Sequence, residues 1–198
     1  MKKEFLKGKG FTLLEMMVAI AILAILVAMA APAYRGMLER QKIRSALNEW
    51  QSAFFFARRE AMRLKEPVIL CASKTGTKCD DKPGRQFNQG WIVIARNGDS
   101  GKGGILLQDY AVNDPGLSIY LSNGNNASNG LIFRGNGSVA IRDDQGNIAK
   151  GIFMGRVSIG SLPSGTQEED AATTPPSGSN TIIMKISSGG RLALGEKK

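Results

Sequence analysis

The chain has 198 residues, with 26 Lys and Arg against 17 Asp and Glu, and its net charge of +9 suits solubility, an anionic surface or DNA without choosing among them. It contains no histidine and only two cysteines, which excludes a Ser-His-Asp triad, a Cys-His dyad, an HExxH zinc site and histidine metal ligation. No motif for lysine or carboxylate catalysis is present, so the sequence predicts a non-enzymatic protein with no cofactor and no metal site.

A basic leader precedes a long apolar segment. Residues 1–10 hold four lysines and one glutamate, and the 19 residues 16–34 carry no charge. As a helix that stretch is roughly 28 Å long, close to the ~30 Å hydrocarbon core of a bilayer. We therefore predict a transmembrane helix over residues 11–34. The alternative is a removable secretory signal, whose apolar region is usually about 7–15 residues long.

Glu15 is the one charged residue within this apolar segment. A carboxylate at bilayer depth costs roughly 2–3 kcal/mol or more, so an ionisable group there is by default a candidate functional residue. It requires a positive partner, and the rest of the span offers none. The sequence therefore predicts that Glu15 is a functional residue.

An amphipathic pattern continues the helix over residues 35–66. Apolar residues recur there at alternating steps of four and three, with basic and amide residues at many of the other positions, as on a helix with one buried face. Pro67 pushes the residue before it out of the α region, so we predict one helix from Phe11 to Lys65. The apolar stripe consists of Ile43, Leu47, Trp50, Phe54, Ala57, Ala61 and Leu64.

Beyond Pro67 the apolar period changes to two, and turn sequences separate short strands. This pattern predicts an α+β fold, in which an antiparallel β-rich head over residues 67–198 rests on the apolar stripe of the helix. Residues 161–180 are of low complexity and acidic in the middle, which predicts a flexible surface loop. The predicted strands are Val68–Ala72, Trp91–Arg96, Ile105–Tyr110, Leu117–Leu121, Leu131–Phe133, Val139–Ile141, Ile152–Ile159, Thr181–Ser187 and Arg191–Leu194.

Two short features of the head have alternative interpretations. Cys71 and Cys79 enclose a short stretch, and in a domain exported to the periplasm a disulfide is the natural prediction. It would contribute on the order of 2.5 kcal/mol by the chain-entropy argument; two reduced thiols are the alternative. Residues 98–104 are rich in glycine but lack the GxxxxGK[ST] spacing of a phosphate loop, so they predict a turn.

The sequence GFTLLE at residues 10–15 resembles the class III signal of type IV pilins and type II secretion pseudopilins. The resemblance implies that a prepilin peptidase and N-methyltransferase cuts between Gly10 and Phe11 and methylates Phe11, and that Pro32 kinks the helix. It also implies a partner for Glu15, namely the amino terminus of a neighbouring subunit. Assembly would then neutralise two charges that attract strongly at low dielectric.

Four further segments resemble the GspH/FimT family of minor pilins and pseudopilins: ARREA at 57–61, VILC at 68–71, GWIV at 90–93 and FRGNG at 133–137. The resemblance implies a pilin-like head of two β-sheets against the helix. It implies a minor pilin at or near the tip of a type IV pilus, which helps to initiate assembly and couples tip subunits to the major pilin. Its partners would be other minor pilins and the major pilin.

The same resemblance implies a location. The protein would first be a single-pass protein of the inner membrane of a Gram-negative bacterium, with its head in the periplasm. It would later belong to a filament on the cell surface.

Two other branches of the family remain open. One is an H-type pseudopilin of a type II protein secretion system. The other is a DNA-binding minor pilin for natural transformation, which uses a carboxy-terminal Gly-Arg-x-Arg motif; here the sequence GRLA at residues 190–193 keeps only the first arginine. One fewer positive contact weakens salt-sensitive DNA affinity, and Arg191 as a solvated strand-end residue is the alternative. The candidate phosphate contacts are Lys185, Arg191, Lys197 and Lys198.

Overall fold

The structure is a computed structural model. It describes residues 11–80, 87–95, 104–112, 114, 116–123, 126–128, 130–142, 154–163, 165–166, 174–178 and 180–195, and at residues 30–33, 126–127 and 154 the backbone alone. Gly10, Lys197 and Lys198, which the sequence marks as candidate site residues, lie outside the described residues. So do most of the glycine-rich turn at 98–104 and part of the predicted loop at 161–180.

The long helix α1 runs from Leu13 to Leu64 over 52 residues. Its amino end is capped by Thr12, because the Glu15 backbone N–H donates to Thr12 Oγ1 at 3.2 Å and so satisfies a donor that the first turn leaves unpaired. Its carboxyl end is followed by Lys65, whose φ of 57° is left-handed, and then by Pro67. The caps therefore set both ends slightly inside the predicted helix.

The chain divides into two compact units, Met1–Glu39 and Arg40–Lys198. Within the described residues no single helix is long and apolar enough to cross a membrane, whereas Leu13–Met29 and Tyr34–Leu64, bent at the short break between them, meet the criteria of length and composition as a pair. Pro32 lies in that break, and its role as the source of a kink stays a prediction.

The described part of the second unit contains ten strands and a short 3-10 turn at Phe87–Gln89. Most strands fall where the alternation of apolar residues predicts them. Their bounds are Val68–Ala72 (β1), Gly90–Ala95 (β2), Ile105–Ala111 (β3), Leu117–Asn123 (β4), Asn126–Ala127 (β5), Gly130–Phe133 (β6), Val139–Arg142 (β7), Met154–Ser161 (β8), Ile182–Ser187 (β9) and Leu192–Leu194 (β10).

The strands form two five-stranded sheets. Sheet A has the order β3-β2-β1-β6-β7, and sheet B has the order β10-β9-β8-β4-β5. Every pairing is antiparallel, which confirms the predicted class of fold. Strand β1 lies at the centre of sheet A with all five residues buried, which explains why its sequence, VILCA, is an apolar run without alternation.

The amphipathic half of α1 contributes to the core of the second unit on both sheets. Phe54 meets Phe133 of sheet A edge to face, with ring centres 4.9 Å apart. Gln51 Nε2 donates to Met184 Sδ of sheet B at 3.7 Å. The packing confirms the predicted apolar stripe, because its members are buried, apart from the half-buried Leu64. The helix places Ile43, Ala46, Leu47, Trp50, Ala53, Phe54, Ala57 and Ala61 in this core.

Sheet B differs most from the sequence prediction at β4, β5 and β8. Strand β4 continues past the predicted Leu121 to Asn123. Strand β8 continues past Ile159 because Gly160 and Ser161 still pair with β4. The sequence does not predict β5, since Asn and Ala have low strand propensity and only the pairing with Ser122 and Asn123 of β4 holds them extended.

Part of the predicted loop at 161–180 lies against sheet B. The Ser118 hydroxyl donates to the Thr174 carbonyl at 3.2 Å, and Pro176 is buried. A side chain at Gly160 would meet Pro176 Cβ at 3.0 Å. Residues 174–178 thus cover one end of the sheet, while the flexibility of the whole segment stays a prediction.

Candidate functional site

The predicted assembly residue Glu15 lies in the first turn of α1. Thr12 accepts two backbone hydrogen bonds there, from the Glu15 N–H to its side chain and from the Met16 N–H to its carbonyl, both at 3.2 Å. Thr12 and Glu15 have the spacing of a capping box, in which a glutamate follows the capping threonine by three residues. This pattern is readable in the sequence, and it adds Thr12 to the residues that shape this end of the helix.

The described side chains from Phe11 to Met29 are all exposed. Phe11 is 77% exposed and Leu14 is 74% exposed, and Glu15 is the one charged residue among them. Soluble monomers rarely expose so extended an apolar surface, which is typical of a protein or membrane interface. We call residues 11–29 the assembly segment.

The predicted disulfide between Cys71 and Cys79 is confirmed, with the two sulfurs 1.99 Å apart. Both cysteines are buried among isoleucines of sheet A, such as Ile69 and Ile92. Since the bond consumes both thiols, neither sulfur is available as a metal ligand. Over the described ranges of the chain, no group of three or more His, Cys, Asp or Glu side chains could hold a metal ion.

The short loop closed by the disulfide is also held by hydrogen bonds. The Ser73 hydroxyl donates to the Lys78 carbonyl at 2.6 Å and accepts from the Gly76 N–H at 3.1 Å. The Asp80 N–H donates to the Ala72 carbonyl at 2.9 Å. The loop is therefore fixed at its base by a covalent bond and across its middle by one serine.

Arg58 links α1 to both sheets. Its guanidinium donates from Nε to the Gly137 carbonyl at 3.0 Å, from Nη1 to the Gly190 carbonyl at 3.0 Å and from Nη2 to the Gly189 carbonyl at 3.1 Å. Gly137 lies in the turn between β6 and β7 of sheet A, whereas Gly189 and Gly190 lie in the turn between β9 and β10 of sheet B. The planar fork of donors on arginine suits such a site. We call Arg58 and these three glycines the Arg58 junction.

Glycine is required at two positions of the junction. Gly137 and Gly190 have φ angles of 80° and 74°, a region that side chains with a Cβ rarely adopt. A Cβ at Gly190 would also lie 2.7 Å from both Arg58 Nε and the Gly137 carbonyl oxygen. The segments ARREA, FRGNG and GRLA thus meet at one point, although the bonded residues lie 79 and 132 positions apart.

A salt bridge fixes the connection between β3 and β4 to the helix. Lys42 Nζ lies 2.8 Å from Asp114 Oδ2, and Asp114 Oδ1 accepts from the Gly116 N–H at 3.0 Å. The hydrogen bond from Lys42 is the main reason why the pKa of Asp114 lies below its ordinary value, and partial burial opposes it. The carboxylate is therefore the favoured form in the folded head.

Two of the predicted phosphate contacts lie on one face of sheet B, together with a third cation. Lys185 in β9 is directly opposite Arg156 in β8 and opposite Ala193 in β10. Arg191 precedes Ala193 by two residues and so lies on the same face. All three cations are exposed, and the described strands of sheet B contain no Asp or Glu. We call Arg156, Lys185 and Arg191 the sheet B basic patch; sequence reasoning misses Arg156 because only the strand register brings it here.

Residues 6–31 match the Prokaryotic N-terminal methylation motif. Residues 46–149, more than half of the chain, match the family described as Type II transport protein GspH. The chain belongs to the GspH family. The GspH match includes most of the buried part of α1, the disulfide and the Gly137 turn, and it ends before β8, β9 and β10 of sheet B.

This GspH-family chain is similar to two proteins described as a fimbrial protein and a type IV minor pilin. The Fimbrial protein EcpC of Eikenella corrodens is 50% identical over 40 residues, which are 20% of this chain and 26% of that protein; the match thus spans about a quarter of the relative. The crystal structure of the type IV minor pilin FimU from Pseudomonas aeruginosa PAO1 matches with a TM-score of 0.50 and 16% identity, over 81% of this chain and 93% of that chain. At this identity the likeness shows the fold, which is pilin-like as predicted.

Processing by a prepilin peptidase and assembly with pilin or pseudopilin subunits, which the methylation motif suggests, stay proposals. The matched motif contains Gly10, Phe11 and Glu15. The individual roles of these residues, and those of Lys185 and Arg191, stay predictions.

Proposed function

We propose that this protein is a minor pilin, incorporated at or near the tip of a type IV pilus, where it helps to initiate assembly and couples tip subunits to the major pilin. The observation that carries the proposal is the assembly segment, in which exposed apolar side chains from Phe11 to Met29 surround a single carboxylate, Glu15. The FimU-like fold supports it.

Before assembly the protein spans the inner membrane once, with its head in the periplasm, and later it belongs to the surface filament. Prepilin peptidase cuts between Gly10 and Phe11 and methylates the new amino group of Phe11. That cation then lies beside the capping Thr12, at the positive end of the helix dipole, where a cation is disfavoured. A carboxylate equivalent to Glu15 on a neighbouring helix would stabilise it, and this gain is absent from the isolated subunit.

The test compares Glu15→Val with Glu15→Asp in a strain that lacks the native gene. We expect the valine variant to be cleaved and to accumulate in the membrane fraction, but to be absent from sheared filaments, because its neighbour's amine has no counter-charge. The aspartate variant should retain part of the incorporation. Glu49→Val, which removes an exposed helix carboxylate within the head, is the matched control. Filaments that contain the Glu15→Val protein at the wild-type level would contradict the proposal.

Immunogold labelling tests the position of the subunit, because a tip subunit labels one filament end and a major subunit labels the whole length. The alternative role, an H-type pseudopilin, has a separate assay. If the protein is an H-type pseudopilin, a strain without this gene will have normal pili but will not export type II secretion substrates. That result would replace pilus assembly with protein secretion as the function.

A second candidate function, DNA capture, is favoured by one observation, the sheet B basic patch. Arg156, Lys185 and Arg191 extend the predicted phosphate contacts on one exposed face with no carboxylate in the described strands of that sheet. Three phosphate contacts would make the logarithm of the affinity fall with the logarithm of the salt concentration with a slope of about −2.7.

The test for DNA capture is a mobility shift of duplex DNA by the full-length protein in non-ionic detergent. We expect Arg156→Gln, Lys185→Gln and Arg191→Gln each to reduce the salt slope by about one. Arg134→Gln, which neutralises an exposed arginine elsewhere on the head, should leave the slope unchanged. If wild-type protein causes no shift at low salt, DNA capture is excluded.

A further inference from the structure

The outer face of α1 within the head carries two large apolar side chains. Phe55 is 51% exposed and Met62 is 39% exposed, whereas the other large apolar residues of α1 from Arg40 to Leu64 are buried or half-buried. They lie two helical turns apart and so share one face. The Phe55 ring is held edge to face by Phe54, with ring centres 5.5 Å apart. An aromatic ring that is exposed to solvent but fixed in orientation by a neighbouring ring is typical of a protein interface.

The remainder of this face is cationic or amide in character. Arg44 and Arg59 are both exposed, and the Arg59 guanidinium lies 5.6 Å from the centre of the Phe56 ring. At helical spacing the face spans about 32 Å and contains no carboxylate, over a stretch that the structure describes completely. We call it the Phe55 face; it consists of Gln41, Arg44, Asn48, Phe55, Arg59 and Met62.

The carboxylates of this stretch of helix lie on its flank and already have partners. Glu60 forms a salt bridge with Arg63, with Oε2 2.7 Å from Nη2. The Glu49 carboxylate accepts a hydrogen bond from the Ser45 hydroxyl at 3.4 Å. If a second copy docked through its own Phe55 face, it would bring its arginines against Arg44 and Arg59. Like charges in opposition disfavour that contact, whereas an acidic neighbour is favoured.

We propose that the Phe55 face docks an amphipathic helix of a different subunit, whose apolar residues cover Phe55 and Met62 and whose carboxylates meet Arg44 and Arg59. This inference rests on the proposed function, because the proposed pairing of Glu15 with the amino terminus of a neighbouring subunit would bring the two helices close together. It assigns the chain a preferred kind of neighbour. A subunit that selects an acidic helix and rejects its own copy is used singly.

The test measures how the full-length protein, in non-ionic detergent, binds two labelled synthetic helical peptides by fluorescence anisotropy. The peptides have identical leucine positions, and their flanking positions are all Glu in one and all Lys in the other. We expect wild-type protein to bind the Glu peptide at least about tenfold more tightly than the Lys peptide. The preference should shrink at high salt, because these charges are exposed.

Two variants locate the binding. The double variant Arg44→Glu and Arg59→Glu should reverse the preference, and it remains folded because both side chains are exposed. The matched control, Arg156→Glu with Lys185→Glu, makes the same charge change on sheet B and should keep the wild-type preference. Phe55→Ser with Met62→Ser should weaken binding of both peptides. Circular dichroism verifies that each variant is folded.

Equal binding of the two peptides by wild-type protein would overturn the inference. So would an unchanged preference for the Glu peptide in the double variant Arg44→Glu with Arg59→Glu. So would sedimentation data in which wild-type protein self-associates and this reversal abolishes the self-association, since the occupant would then be a second copy. Because peptide binding does not require filaments, its failure leaves the filament result for Glu15→Val intact, and the two proposals fail separately.

Discussion

Replacing Arg58 by alanine removes at once the three hydrogen bonds that join this side chain of the helix to the turns of both sheets. Hydrogen bonds to charged groups contribute about 1.5–3 kcal/mol each when buried. Arg58 is only half-buried and the Gly189 carbonyl is reached by solvent, so we take about 1 kcal/mol for each bond, or about 3 kcal/mol in total. For a domain of this size the expected fall in Tm is about 6–12 °C.

The assay is thermal and urea unfolding followed by tryptophan fluorescence. Trp50 and Trp91 are 0% and 1% exposed in the core of the head, so their emission reports the unfolding of the head itself. Arg58→Lys keeps the positive charge but loses the planar fork of donors. We expect it to recover about one third of the lost free energy, because a single ammonium group holds one carbonyl well.

Arg59→Ala is the matched control, because Arg59 is the exposed neighbour on the same helix and, among the described residues, its guanidinium contacts the Phe56 ring. It should cost less than about 1 kcal/mol. If Arg58→Ala and Arg59→Ala lower the free energy of unfolding equally, the reasoning on the Arg58 junction is wrong.

Three further changes test other contacts by the same unfolding assay. Gly190→Ala should destabilise the head by at least about 2 kcal/mol, since it combines a left-handed φ with a steric overlap; a neutral effect would refute the close packing. Cys71→Ser with Cys79→Ser should cost on the order of 2.5 kcal/mol, and reductant should not destabilise that variant further. The pKa of Asp114 is lowered in the folded state, so its contribution to stability is present above its ordinary pKa of about 3.9 and is lost as pH falls below it. In Asp114→Asn this group no longer titrates, so the free energy of unfolding should fall less between about pH 5 and pH 3 than it does in the wild type. If both proteins lose the same amount of stability over this range, the stabilising role of Lys42 is contradicted.

Local patterns in the sequence predict much of this protein because their causes are local. The apolar stripe from Ile43 to Leu64 recurs with the helical period, so it predicts both the helix and the face that enters the core. The strands follow from alternation and turn residues in the same way. The T-x-x-E pattern at Thr12 is equally local, since it depends on two residues three positions apart.

The contacts that join distant segments are not predictable in this way. Arg58 looks like one of several helix arginines, and nothing nearby distinguishes it from Arg59. Arg156 lies far along the chain from Lys185, and their apposition depends on the register between β8 and β9. The two-residue strand β5 exists only through its pairing with β4. In each case the contact depends on a segment distant in the sequence, so the residues near the position do not predict it.

The sequence alone determined the helix with its two differently patterned halves, the α+β class, the position of Glu15 and the candidate disulfide, because each rests on residue spacing or composition within a short window. The tertiary structure alone decided which arginine bonds to both sheets, which cations share a face of sheet B, and which apolar side chains of the helix stay exposed. Those outcomes depend on strand register and on which side of the helix packs against the sheets. Both are determined by the apolar surface that the whole core removes from water, which no short window of sequence contains.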